Sequence, residues 1–338
     1  MSPAYNERTS KNAYNWFSIP EFSNRMHDAG FGFPARIRGL DLPACRLNGF
    51  ISWRKYKESH IARLFAVCLS GFIVIITGFE SVSAQITMGG RNIAMGQAHT
   101  AFPEDPWAVF HNPALISNSK SAFGVFTIRY YGMKELEDHT AVINLPVPYP
   151  FISDTPLLGM SVGLHTYGFE LYRETQLRNG WSLHREQIQL GIAVRYIHVR
   201  IEGYDSAGSG AMDAGLTAEL FRGFRIGYRV SNLFYNRIGT GENALLPQEM
   251  AVGISWNEIT GLLLTFDIVK DPVFPFSVRA AIESNPANRM YIRGGWTSNP
   301  FTWSAGAGFD LARFQSNLAI QNHPVLGLSP GIDCLFRF

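Results

Sequence analysis

The chain has 338 residues, 46% hydrophobic, 13% aromatic and 17% charged, with a formal net charge of +2. Disorder needs low hydrophobicity and high net charge, and nucleic-acid binding usually brings a marked basic excess, so neither class fits. Cys45, Cys68 and Cys334 are too few and too scattered for a disulfide scaffold. Low charge combined with 32 glycines and many aromatics suits a barrel that faces lipid.

In chain order, residues 1–60 show no sustained period and are read as a non-structural extension, from either a misassigned start or an unusually long leader. Residues 61–84 form an apolar run behind Arg54, Lys55 and Lys57 that closes on Val82-Ser83-Ala84. Basic flank, apolar stretch and small residues are the three parts of a secretory signal peptide, with cleavage between Ala84 and Gln85. A transmembrane anchor is the competing reading. Cleavage is favoured because everything downstream is strand-like. Residues 1–84 carry 10 basic and 6 acidic groups; the remaining 19 and 21 leave the mature chain near −2.

Residues 85–118 are rich in Gly and Pro and have no clear period, whereas 119–338 alternate apolar and polar residues in segments of about ten. That alternation predicts an all-β fold, a transmembrane antiparallel β-barrel of about 14 strands with apolar residues towards lipid and small or polar ones inside. About thirteen segments are visible, and a further strand is expected between Ser182 and Tyr204. There the phase changes near Ile197, Val199 and Ile201, which predicts a bulge. By parity Arg195, Arg225, Arg229, Arg279 and Arg293 face the lumen, as do Asp213, Glu219, Glu249, Asp267, Glu283 and Asp310. Charges of both signs on one face predict salt-bridge networks across the lumen wall, and no single-sign ring suggests an ion filter. A soluble β-sandwich would also alternate. Aromatics near segment ends, at Trp256, Trp296, Phe301 and Phe309, favour the barrel, as does the ending with Phe336 and Phe338 on the apolar side.

Two stretches carry a family resemblance. The first runs from Gly89-Gly90-Arg91 through Pro103-Glu104-Asp105-Pro106 to Asn112-Pro113-Ala114. The second comprises Glu283-Ser284-Asn285-Pro286, Ile292-Arg293-Gly294-Gly295-Trp296, Asn299-Pro300, Gly306-Ala307-Gly308-Phe309 and His323-Pro324-Val325-Leu326-Gly327. Together they resemble the outer-membrane barrel families typified by the fatty-acid transporter FadL and by the type IX secretion proteins PorV and PorQ. The resemblance implies a fourteen-stranded barrel in the bacterial outer membrane with residues 85–118 folded inward as a plug, positioned by Asn112, Pro113 and Ala114. It also implies that Phe336 and Phe338 signal to the barrel-assembly machinery.

No Gly-x-Ser-x-Gly, His-Glu-x-x-His or Cys-x-x-Cys motif occurs, so no catalytic or metal site and no cofactor are expected. Ser161 or Asp213 beside His165 is the one constellation that pattern alone leaves open for an enzyme. The mature length of about 254 residues and the closing motifs favour a PorV/PorQ-type partner of secreted proteins. Transport of a hydrophobic ligand is the alternative. Outer-membrane lipid is the expected surrounding, and nucleic acid is not an expected partner.

Overall fold

The computed structural model describes residues 87–148, 157–238, 246–272 and 274–338. The extension at 1–60, the leader at 61–84 and its cleavage site at Ala84 and Gln85 lie outside the described residues.

Fourteen antiparallel strands close into one barrel, each paired with its neighbours in sequence and the first with the last. They are β1 (Ala122–Arg129), β2 (Glu137–Pro148), β3 (Leu157–Gly168), β4 (Tyr172–Arg185), β5 (Ile188–Ile201), β6 (Ala207–Phe221) and β7 (Phe224–Ser231). The second half is β8 (Glu249–Trp256), β9 (Leu262–Lys270), β10 (Ser277–Ala287), β11 (Met290–Thr297), β12 (Thr302–Leu311), β13 (Phe314–His323) and β14 (Gly327–Arg337). The closing seam pairs Ala122 with Arg337 and Ile128 with Gly331, so no edge strand is left to template aggregation.

Side chains alternate across the wall as the period of two requires. In β5, Leu190, Ile192, Val194 and Tyr196 are exposed, while Gln189, Gly191, Ala193 and Arg195 are buried. In β14, Ile332 and Cys334 point out, and Asp333 and Leu335 are about 1% exposed. Exposed aromatics mark both rims: Phe123, Phe221, Phe309 and Phe314 at the end that holds the C-terminus, and Phe276, Trp296, Phe301 and Trp303 at the other. In water such a belt would drive association, and a bilayer covers it.

The bulge expected near Ile197 is absent. Pairing of β4 with β5 runs unbroken from Arg185–Ile188 to Tyr172–Ile201, and β5 pairs regularly with β6 as far as Val199. The phase changes because Ile197 and Val199 face inward, into a small apolar cluster with Ala211, Leu246 and Ile238. The register shifts fall elsewhere, at Glu219/Phe221 and Ser284/Ala287.

Val194 sits mid-strand on the lipid side, so Val194→Arg should destabilise the barrel by about 2–4 kcal/mol, read from denaturant unfolding in lipid vesicles.

Candidate functional site: the plug and its seat

From Thr87 to Ser119 the chain lies inside the barrel. It forms one short helix, α1 (Gly90–Ala94), and two 3-10 turns at Ala108–Phe110 and Pro113–Asn118. Gly96, with φ 56, ends the helix where a side chain would be strained. Phe102, Trp107, Phe110, Leu115 and Ile116 are at most 1% exposed and share one core with inward wall residues such as Phe126, Ile128, Val142 and Leu335.

Asn112 has the extended backbone that a residue before proline prefers, φ −117 and ψ 103. Its Oδ1 accepts from the Ala114 N–H at 3.1 Å and its Nδ2 donates to the Thr100 carbonyl at 2.7 Å. Pro113 at the first helical position lacks the N–H that would otherwise be orphaned there. The Asn112-Pro113-Ala114 step therefore joins two plug segments and presents its backbone to the wall.

The wall receives it with glycines. A β-carbon at Gly191 would collide with the Pro113 carbonyl, one at Gly215 with Asn112 Oδ1, and one at Gly159 with the Ser117 backbone. On the far side Gly227 faces the Thr100 carbonyl, Gly295 faces Gly96, and Gly306 faces Ala94. These inward positions let irregular backbone approach the sheet closely.

Polar groups complete the seat. Asp333 accepts from the Gly90 N–H at 2.7 Å, and Glu283 takes a two-point contact from Arg91 at 2.8 Å and 2.8 Å. Arg293 bridges Glu283 at 2.6 Å and Asn317 at 2.8 Å, and Asn317 donates to Asp333 at 2.7 Å. Opposite, Asp267 accepts from the Thr100 N–H at 2.9 Å, while Glu249 binds both Arg229 and Arg279. Arg225 pairs with Glu219 at 2.8 Å, and Asp310 with Arg337 at 2.8 Å. Asp213 pairs with Arg178 at 3.2 Å, and Arg178 also donates to the Phe110 carbonyl at 3.1 Å.

Inside the plug, sequence reasoning missed a buried polar centre. His111 Nε2 accepts from the Met88 N–H at 3.0 Å, so the proton of a neutral ring sits on Nδ1, which faces Asp105 Oδ2 at 3.0 Å. Asp105 also accepts from Asn92 Nδ2 at 3.1 Å and the Trp107 N–H at 2.9 Å. Burial pushes the Asp105 carboxyl up, but His111, Asn92 and Trp107 outweigh it and hold it below the usual range. His99 stacks on His111 with ring centroids 4.1 Å apart, and neither of its nitrogens has a hydrogen-bond partner among the described residues. Burial, then His111, Arg229 and Arg279, push His99 well below its ordinary 6.5. Only an aspartate and a histidine six residues apart marked this centre in the sequence, too common a spacing to notice.

The constellation around His165 does not assemble. His165 Nε2 contacts Asp138, Ser161 donates to Asn144 Oδ1 at 2.6 Å, and Asp213 is held by arginine. Among the described residues no group of three His, Cys, Asp or Glu is arranged to hold a metal.

Fold and seat define a closed, plugged, fourteen-stranded barrel built for a bilayer. No protein-family model and no curated protein matches the chain. Among solved structures it is similar to the CymD monoaromatic hydrocarbon channel, with a TM-score of 0.57 at 12% identity over 76% of this chain and 99% of that one. It is also similar to the Pseudomonas putida toluene transporter TodX, with a TM-score of 0.53 at 13% identity over 78% and 100%. A Pseudomonas aeruginosa FadL homologue has a TM-score of 0.50 at 11% identity over 76% and 100%. The chain thus shares the barrel fold of these structures.

Gly191→Val should dislodge the plug while leaving the wall intact, seen as raised conductance in planar bilayers. His111→Ala leaves the Asp105 carboxylate short of one donor and should cost about 1.5–3 kcal/mol, measured by chemical unfolding. A histidine whose native pKa is lowered holds fewer protons than the unfolded chain below its ordinary 6.5, so stability falls as pH drops through that value. His99→Phe should flatten the decline in unfolding midpoint between about pH 6.5 and 5.

Proposed function

We propose that this chain is a FadL-like outer-membrane barrel that passes small hydrophobic molecules, with the plug as its gate. One observation carries the reading. A groove of about 440 Å³ lies on the outer wall across β14, β1, β2 and β3, and its lining includes Val125, Ala141, Leu164 and Ile332. Directly behind it, the inward residues of the same strands hold the plug: Asp333 binds the Gly90 N–H, and Thr140 Oγ1 contacts Met88 Sδ at 3.0 Å. A hydrophobic solute collected from the membrane side would thus meet the wall where the N-terminal part of the plug is fastened. The names of the CymD and TodX structures, a hydrocarbon channel and a toluene transporter, support the same class of solute.

On this reading the short-turn end with both the C-terminus and Phe338 faces the periplasm. Cleavage after Ala84 frees the plug's leading segment, and Phe336 and Phe338 serve as the assembly signal. The PorV/PorQ-type role in type IX secretion rests on the sequence motifs alone, and the CymD, TodX and FadL-homologue structures do not add to it.

The test is uptake of toluene and of oleate by proteoliposomes containing the full barrel. Wild type should exceed empty vesicles several-fold, and Ala141→Trp, which fills the groove from outside, should remove most of that excess. Uptake equal to empty vesicles for both solutes would sink the transport reading.

A further inference from the structure

Two buried histidines face each other inside the plug, and they are held very differently. His111 is fixed at both nitrogens, by the Met88 N–H and by Asp105. His99 is 1% exposed and stacks on that ring, with Phe102 against its edge and neither nitrogen hydrogen-bonded among the described residues. A neutral imidazole fits such a place as a flat, weakly polar ring. An imidazolium does not, because it would be a buried cation with two unanswered N–H groups.

The charged groups around the stack come from every element packed there. Arg229 on β7 and Arg279 on β10 both repel a proton on His99, as does His111. Arg178 on β4 acts the same way on His111. Glu249 on β8 is shared between Arg229 and Arg279. Asp267 on β9 gives Oδ2 to the Thr100 N–H and lays Oδ1 over Gly253. Asp105 is occupied by His111, Asn92 and the Trp107 N–H. A proton on His99 thus gains positive neighbours and no carboxylate within hydrogen-bond distance.

The segment that carries His99 has a way out. Residues 96–102 leave α1 through two left-handed positions, Gly96 (φ 56) and Gln97 (φ 64). Single hydrogen bonds hold this stretch to the wall: Thr297 Oγ1 to the Gly96 carbonyl at 2.8 Å, the Thr100 N–H to Asp267, and Ser255 Oγ to the Ala101 carbonyl. The preceding helix is tied more firmly, because Arg91 grips Glu283 at two points. We propose that His99 is a proton-operated latch, whose protonation drives residues 96–102 off the wall of β8–β11 and opens a path along that side of the lumen. The latch rests on the reading of the plug as a gate.

The sign follows from linkage. Burial above all holds both His99 and His111 below their ordinary 6.5. The displaced segment therefore takes up protons that the seated one refuses. Below that pH each further unit favours displacement by about tenfold per histidine, and at neutral pH the latch is shut.

Conductance of the purified full chain in planar bilayers, recorded from pH 7.5 to 4.5 at fixed salt, reads the latch. Wild type should open reversibly in acid, by about tenfold or more. His99→Phe keeps a stacked ring that cannot titrate and should stay closed throughout. His184→Gln alters an exposed histidine at the β4–β5 turn and should open as wild type does. Hydrogen exchange on wild type, corrected for the pH dependence of intrinsic rates, should show residues 96–102 losing protection in acid while 90–94 keep theirs. Toluene uptake at pH 7.5 is scored separately: uptake without acid opening sinks the latch alone, and acid opening without uptake sinks the transport reading alone. Conductance independent of pH, an undiminished acid response in His99→Phe, or unchanged protection of residues 96–102 would each overturn the proposal.

Discussion

Backbone that is neither helix nor sheet survives at membrane depth only when protein surrounds it. The plug from Thr87 to Ser119 is such backbone, and the rest of the structure follows from housing it. Closure of β1 on β14 removes the sheet's edges, so that the wall satisfies itself and spends its inward side chains on the plug. Asp333, Asp267, Thr297 and Arg178 each bond a backbone group of that segment. The lumen is therefore a protein interior whose polar groups are aimed at a particular path of chain.

Close approach and charge then divide the work. Gly159, Gly191 and Gly215 on one side, and Gly227, Gly295 and Gly306 on the other, leave no side chain between wall and plug. Shape alone would let such a segment slide. The ion pairs supply register: Arg91 meets Glu283 with two-point geometry that a shift of one residue would break. The Asp105–His111 pair does the same work inside the plug, where a neutral imidazole with a defined tautomer joins Met88 to Asp105 without a net buried charge at that ring. Histidines kept neutral by burial make the plug responsive to mild acid.

Much of this was legible in the residues themselves. A period of two reports which face a residue occupies, because successive strand side chains point to opposite sides. Hence Arg225, Arg229, Arg279, Arg293, Asp213 and Asp310 could be placed on the inner wall by counting. Asn112-Pro113 announced an extended residue before a turn for an equally local reason. At Ile197 the same counting misled. An apolar residue inside a barrel looks like a slip of register until its partners Ala211 and Leu246 are seen beside it.

The sequence by itself determined the wall: strand spacing, the two faces, the rims of aromatics and the parity of the charges, all set by neighbours a few residues apart. The pairing of those charges was decided only in three dimensions. Glu283 finds Arg91 across 192 positions and Asp333 finds Gly90 across 243. Contacts at such separations leave no period in the chain. Which carboxylate answers which arginine emerges only when the barrel closes around the plug and water is expelled from between them.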